Sequence, residues 1–381
     1  MQCCRNVLKL SHNFFNLYSQ EDLHIANAYN VMFRNINIEN FRGVKSVQVG
    51  DLRRVNLFFG KNNCGKSSLL EALYLITEQS NPLLPVSINN FRNYSRVTEK
   101  DIILDFYGLD ATKEIHISAE ADDGKNRDLR IAEIKSNSNK IALEELEKES
   151  VIAPNGFYGL RLSYSLGNSG TVYKSDIVIK NDGKNEAKIN SDSRYKEDIE
   201  SLYLPSAYSQ YSVTKKYAQI VENKQENYIV DILRTIEPRI KDMQLVGNSL
   251  MVDVGLPQRL PVNVMGDGIR KLLYIIIAIY ECQNGILLID EVDNGFHYSA
   301  MSLLWKAILY ASKNNNTQVF VTTHNIDSLK GLVNVLHTEN ATEKQDVAAF
   351  KLIKKDDDSL KALRYDYEQM SYAIEQEMEM R

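Results

Sequence analysis

A chain of 381 residues with 44% hydrophobic and 25% charged residues can bury a sizeable core, as two modest domains or one domain with a large insertion. The formal net charge of −5 argues against a wholly basic nucleic-acid binder, although it leaves room for a local basic stripe. No apolar run is long enough to span a membrane, and Cys3, Cys4, Cys64 and Cys282 fall at no zinc-binding spacing.

Residues 1–30 do not read as a secretory leader, because Ser11, His12, Asn13 and Asn16 interrupt any apolar core. Fold signals begin at Val31, which makes residues 1–30 an N-terminal extension and Met32 an alternative start. Val31–Glu39 alternates apolar and polar residues (Phe33, Ile36, Ile38) as a half-buried strand does. Phe41-Arg42-Gly43 forms a turn, and Val44–Val49 is the returning strand.

Val55–Phe59 reads as a further strand. It enters Gly60-Lys61-Asn62-Asn63-Cys64-Gly65-Lys66-Ser67-Ser68, and Leu69–Tyr74 continues as a helix. The loop matches G-x-x-x-x-G-K-[ST] in full, and strand, loop and helix stand in the required order. Glycines let successive backbone N–H groups turn inward on phosphate oxygens, and the helix adds its positive end. Lys66 would reach the β- and γ-phosphates, and the Ser67 hydroxyl would ligate Mg²⁺. A chance Gly-rich turn is the bland alternative, and the flanks argue against it. Cys64 inside such a loop suits a reducing compartment, so a cytoplasmic location is expected.

Ile38-Glu39-Asn40-Phe41-Arg42-Gly43 ahead of this loop resembles the opening of the SMC/RecF-type ABC ATPases. Residues 80–100 form a polar connection with Pro82 and Pro85 and receive no assignment. Strands are expected at Ile102–Tyr107, Lys113–Ala119, Leu129–Ile134, Phe157–Ser165 and Thr171–Lys180. Turns fall at Asp122-Asp123-Gly124 and Asn181-Asp182-Gly183, and Ile141–Glu149 is a short charged helix. Together these make an antiparallel β lobe inserted into, or beside, the nucleotide-binding core. Ser209–Leu245 reads as two helices. The second, Tyr228–Ile240, carries Ile229, Ile232, Leu233 and Ile236 as a packing stripe, and no sustained heptad pattern marks a coiled-coil arm.

Met265-Gly266-Asp267-Gly268-Ile269-Arg270-Lys271 opens the apolar helix Leu272–Tyr280. Asp267 reads either as its N-cap or, with Gly266 and Gly268, as an ABC-type signature aimed at the nucleotide of a second subunit. It lacks the serine of the common Leu-Ser-Gly-Gly-Gln form. Ile286–Ile289 is suited to a buried parallel strand and ends in Asp290-Glu291, the Walker B arrangement. Asp290 would meet Mg²⁺ and Glu291 would polarise the attacking water. Strand Gln318–Thr323 closes in Thr322-Thr323-His324-Asn325, where His324 is either a satisfied polar group or, as the resemblance to ABC-type ATPases implies, the switch that senses the γ-phosphate.

The run Asp290-Glu291-Val292-Asp293-Asn294-Gly295-Phe296-His297, with Trp305 and Thr322–Asn325, resembles the OLD-like, AAA-named family of bacterial ABC ATPases. The resemblance implies heads that dimerise around ATP, often in anti-phage or DNA-processing systems coupled to a nuclease, and places His297 near the dimer interface. OLD nucleases carry a TOPRIM module after the core. Here residues 331–381 hold an expected hairpin (Ala348–Lys355 with Leu360–Tyr367), its Asp356-Asp357-Asp358 turn and a helix Ser371–Met380, so any nuclease would be a separate partner.

The expected fold is therefore α/β: a P-loop NTPase with an ABC-type ATPase core at 31–80 and 261–381, and a β lobe with helices at 81–260. The expected activity is ATP hydrolysis in a nucleotide-gated homodimer that regulates an effector protein or a nucleic-acid transaction. The alternative is a RecF-like DNA-binding repair ATPase using Arg42, Lys45, Arg53 and Arg54, residues that otherwise form a solvated charged face. A transporter subunit fits less well, given the divergent signature and a Gln79 too early for a Q-loop. A small-molecule kinase fits less again, because Glu291 beside Asp290 favours attack by water.

Overall fold

The computed structural model describes residues 31–90, 99–135, 157–167, 170–180, 187–206, 213–234 and 237–376. The extension 1–30, the expected helix 141–149 and the turn 181–183 lie outside the described residues. The strands are β1 (Phe33–Phe41), β2 (Val44–Val49), β3 (Val55–Phe59), β4 (Ile115–Ala121), β5 (Arg127–Lys135), β6 (Phe157–Leu166), β7 (Tyr173–Lys180) and β8 (Ala187–Asn190). They continue with β9 (Ser201–Leu204), β10 (Asp242–Val246), β11 (Ser249–Asp253), β12 (Leu260–Pro261), β13 (Ile286–Ile289), β14 (Gln318–Thr323), β15 (Val347–Lys354) and β16 (Leu360–Tyr365). The helices are α1 (Lys66–Thr77), α2 (Leu84–Asn90), α3 (Glu99–Ile103), α4 (Val213–Glu222) and α5 (Glu226–Arg234). After them come α6 (Asp267–Glu281), α7 (Met301–Asn314), α8 (Ile326–Thr338), α9 (Ala341–Gln345) and α10 (Tyr367–Glu375).

The core sheet runs β16-β15-β3-β14-β13-β9 and is parallel except for the edge strand β16. Its central strands are apolar on both faces because both faces are covered. Along β13, Leu287 and Ile289 enter the cluster built on α6, α7 and α8. Ile286 and Leu288 turn to the opposite cluster, with Leu69, Leu70 and Leu73 of α1. That second cluster also takes in Ile38, Ile117 and Leu129 of a seven-stranded antiparallel sheet, ordered β2-β1-β4-β5-β6-β7-β8. The helix that leaves the phosphate loop is therefore clamped between the core sheet and the β lobe. A small sheet, β10-β11-β12, packs with α4 and α5, and the Tyr217 hydroxyl donates to the Met243 carbonyl at 3.0 Å.

Sheet membership cuts across the sequence boundaries drawn at 80 and 260. The β1–β2 hairpin pairs with β4 and so belongs to the lobe, whereas β9 pairs in parallel with β13 and belongs to the core. The strand expected at Ile102–Tyr107 is instead the end of α3 followed by a turn, with one isolated bridge from Phe41 to Phe106. The Asp105 and Phe106 N–H groups bond back to the Ile102 and Ile103 carbonyls at 3.3 and 3.1 Å, a turn in place of a strand ladder. The second helix of the middle segment is described over Glu226–Arg234, and residues from Asp242, within the span expected as helical, form the β10–β11 hairpin. The last helix starts earlier than expected, at Tyr367, where Asp366 and Gln369 form a capping box.

Arg42 corrects a functional expectation. It sits in the β1–β2 turn at φ 51° and is 8% exposed. Its guanidinium pairs with Glu71 of α1, pairs with Asp105 at 3.1 Å and donates to the Asn89 side chain at 2.6 Å. Burial pushes the Asp105 carboxyl up to about 6 against the opposing pull of Arg42. This arginine is neither a DNA contact nor part of a solvated face. It ties the lobe to the phosphate-loop helix. Arg42→Ala is expected to cost about 3–5 kcal/mol by leaving Glu71 and Asp105 buried without their cation, a loss that denaturant unfolding would register.

Candidate nucleotide site

The carboxyl ends of β3, β13 and β14 meet at one edge of the parallel sheet, where open α/β sheets place their ligands. At the end of β3, Gly60 adopts φ 147°, and a Cβ there would lie 2.7 Å from the Leu352 carbonyl oxygen of β15. Gly65 adopts φ 88°, and its Cβ would lie 2.8 Å from Leu360 Cδ1 of β16. Only glycine meets both demands. The C-terminal hairpin thus backs the loop, a brace that the motif alone did not reveal. Cys64 is buried against it, and burial pushes the thiol up despite the neighbouring Lys66.

Lys66 is 8% exposed, and its Nζ donates to the carbonyls of Gly60 and Lys61, both at 2.9 Å. These bonds fold the ammonium back onto the loop Gly60–Ser68, which also carries Asn62 and Asn63, a position from which it would meet phosphate oxygens. Ser67 Oγ donates to Asp290 Oδ1 at 3.1 Å, joining the loop directly to the Walker B strand. Thr322 Oγ1 donates to the same carboxylate oxygen at 2.5 Å and accepts from the Glu291 backbone N–H at 2.8 Å. Glu291 itself lies at φ 49°, and the Asn294 side chain donates to its Oε2 at 3.2 Å. His324 Nδ1 stands 3.8 Å from Glu291 Oε1 with its side chain 45% exposed. Asp293 is held from the next residue of β14, with Thr323 Oγ1 donating to it at 2.5 Å.

A serine hydroxyl beside a buried aspartate is a hard-oxygen donor set that fits a small divalent cation such as Mg²⁺. Among the described residues no group of three or more His, Cys, Asp or Glu could form an all-protein metal cage. Mg²⁺ sites commonly use one or two carboxylates together with substrate phosphates, so the two observations agree.

The sequence of residues 55–329 matches the family described as "AAA domain, putative AbiEii toxin, Type IV TA system". The chain belongs to this family of AAA P-loop ATPases. It is 29% identical over 378 residues to an "ATP/GTP phosphatase" of Helicobacter pylori, covering 91% of this chain and 99% of that one. Over 63 residues it is 30% identical to the DNA replication and repair protein RecF of Bacteroides thetaiotaomicron, 16% of this chain and 17% of that one. Among solved structures, the SMC head domain from Thermotoga maritima aligns at 12% identity and a TM-score of 0.40, covering 88% of this chain and 99% of that one.

Other candidate residues of this AAA ATPase fall into place unevenly. Gly266 caps α6 without a side-chain bond, so Asp267 is not the N-cap. It lies in the first turn and pairs with Arg270 at 2.7 Å. Gly268 faces Phe296 of the loop after Walker B, and Lys271 donates to the Asn294 carbonyl of the same loop. His297 Nδ1 pairs with the Ser299 hydroxyl at 2.9 Å and its ring lies against Tyr298, which is 67% exposed. Gln79 is fully buried beyond the far end of α1, where its side chain donates to the Tyr195 hydroxyl at 2.7 Å. With a rise of about 1.5 Å per residue, α1 carries it far from the phosphate loop, so it is no Q-loop residue. Arg54 pairs with Asp346 at 3.5 Å, and Lys45 donates to the Asp357 carbonyl.

Proposed function

We propose that this chain hydrolyses ATP to ADP and phosphate at Gly60–Ser68, and that two copies close on the nucleotide. The observation that carries this reading is the unbroken hydrogen-bonded path from Ser67 through Asp290 and Thr322 to the Glu291 backbone. It joins a phosphate loop to a second carboxylate, the arrangement hydrolysis by water requires. Lys61, Asn62, Asn63, Cys64, Gly65 and Ser68 would offer backbone N–H groups to the phosphates, and Lys66 would take the β- and γ-oxygens. Ser67 and Asp290 would hold Mg²⁺, which neutralises charge on the phosphates.

Glu291 is the general base: it would orient a water and accept its proton as the β–γ bond breaks. His324 stands close enough to Glu291 to sense whether the γ-phosphate is present. Gly266, Asp267 and Gly268 open α6, and the positive N-terminal end of that helix would suit contact with nucleotide at the site of the second copy. No helix among the described residues is long and apolar enough to cross a membrane. A free Cys64 in the phosphate loop suits a reducing compartment, which supports a cytoplasmic location. The resemblance to stand-alone OLD-like ATPases supports an output through a separate effector, such as a nuclease, or through nucleic acid, as in anti-phage defence. The burial of Arg42 removes one support for the RecF-like alternative of direct DNA binding.

Phosphate release by the purified wild-type chain tests the activity. ATP with Mg²⁺ is expected to give steady turnover that EDTA abolishes. Absence of release from both ATP and GTP at saturating nucleotide would rule it out.

A further inference from the structure

Thr322 offers one hydroxyl to two carboxylate-bearing residues at once. It is fully buried at the carboxyl end of β14, and both capacities of its Oγ1 are used: the proton on Asp290 Oδ1 at 2.5 Å, a lone pair on the Glu291 N–H at 2.8 Å. Its backbone carbonyl takes a third bond, from the Val292 N–H at 3.1 Å. Between these fixed points Glu291 adopts φ 49°, a left-handed conformation uncommon for a residue with a Cβ. The kink turns the chain out of β13 and sets the direction of the Glu291 side chain.

We infer that Thr322 is a positioning residue that couples the metal-side carboxylate of Asp290 to the water-activating carboxylate of Glu291. The inference rests on the ATPase reading above. Asp290 Oδ1 has two protein donors, Ser67 and Thr322. If Ser67 serves as a cation ligand, the Thr322 hydroxyl would remain the donor that keeps Asp290 oriented, and the same atom holds the backbone of Glu291. A β-branched side chain suits this role, since its χ1 is stiff and the hydroxyl does not wander. Thr323 repeats the pattern one residue on, donating to Asp293, so the segment Asp290–Asp293 is fastened to β14 at both ends.

Thr322→Val keeps the shape and removes the hydroxyl, and Thr322→Ser keeps the hydroxyl. With hydrogen-bond partners of metal ligands worth about 10–100-fold, Thr322→Val is expected to lose that much in kcat at saturating ATP and Mg²⁺. Thr322→Ser should stay within about threefold of wild type on the same reasoning. Binding of a non-hydrolysable ATP analogue, followed by calorimetry, gives a second readout. The analogue should bind Thr322→Val as tightly as wild type without Mg²⁺, and should gain less from added Mg²⁺. A folded Thr322→Val that hydrolyses ATP within twofold of wild type would overturn the inference. So would equal losses in the valine and serine variants, which would mark a packing role. If Thr322→Val does not fold, the serine variant and the Mg²⁺ dependence of Thr322→Ala decide: an unchanged Mg²⁺ dependence in the alanine variant overturns the inference. A wild type without turnover would instead sink the ATPase reading itself.

Discussion

Glu291→Gln is expected to slow ATP turnover by about 10²–10⁴-fold, the usual contribution of a positioned general base, while leaving nucleotide affinity close to that of wild type. The amide keeps the size of the carboxylate and its place beside the Asn294 side chain, but it cannot take a proton from water. The backbone features that set its direction, φ 49° and the bond to Thr322, do not depend on the charge. Binding and catalysis should therefore separate cleanly. Single-turnover phosphate release alongside binding of fluorescent ATP would show the split. Turnover within a few-fold of wild type would move the base to another residue, with His324, 3.8 Å from Glu291, the nearest imidazole to that position.

Lys66→Ala is expected to act earlier, on binding. The buried ammonium has two carbonyl partners on its own loop at 2.9 Å, so it is held ready to exchange carbonyls for phosphate oxygens. Charge-assisted hydrogen bonds contribute about 1.5–3 kcal/mol each. Removing the donor should weaken ATP binding by at least about tenfold, each 1.4 kcal/mol being a factor of ten. The fold should survive, since an alanine at the start of α1 is a good helix former and the lost bonds lie at the partly open loop. Calorimetric titration with ATP·Mg²⁺ measures the loss, and unaltered affinity would remove Lys66 from the phosphate site.

What could be read from the sequence follows from how local its causes are. The phosphate loop, the Asp290-Glu291 strand end and the Thr322–Asn325 strand end were legible because each carries its chemistry in a few adjacent residues flanked by an apolar strand. The β-lobe strands from Ile115 to Lys180 showed as alternating runs between turns. β9 was not seen, because Ser201–Leu204 is too short to display a period, yet it forms an edge of the core sheet beside Walker B. The Arg42–Glu71–Asp105 cluster could not be found by pattern, since its members come from a turn, a helix and a loop joined only by the fold. The same holds for the brace on Gly60 and Gly65 from Leu352 and Leu360. Thr322 lay in plain view beside His324, but nothing in one dimension shows that its hydroxyl spans Asp290 and Glu291. That is a property of parallel pairing, which sets Ile289 opposite Val321 and brings the two strand ends together.

The central claim is that nucleotide is held between two copies, with hydrolysis resetting the contact. The most direct test is the mass of Glu291→Gln in sedimentation, with ATP·Mg²⁺ and without. The account predicts a monomer without nucleotide and a stable dimer with ATP·Mg²⁺, lost again when Lys66→Ala is added to the same chain. A single mass under both conditions, at ATP concentrations shown to saturate the site, would contradict closure around the nucleotide and leave Gly60–Ser68 as the phosphate site of a protein that works some other way.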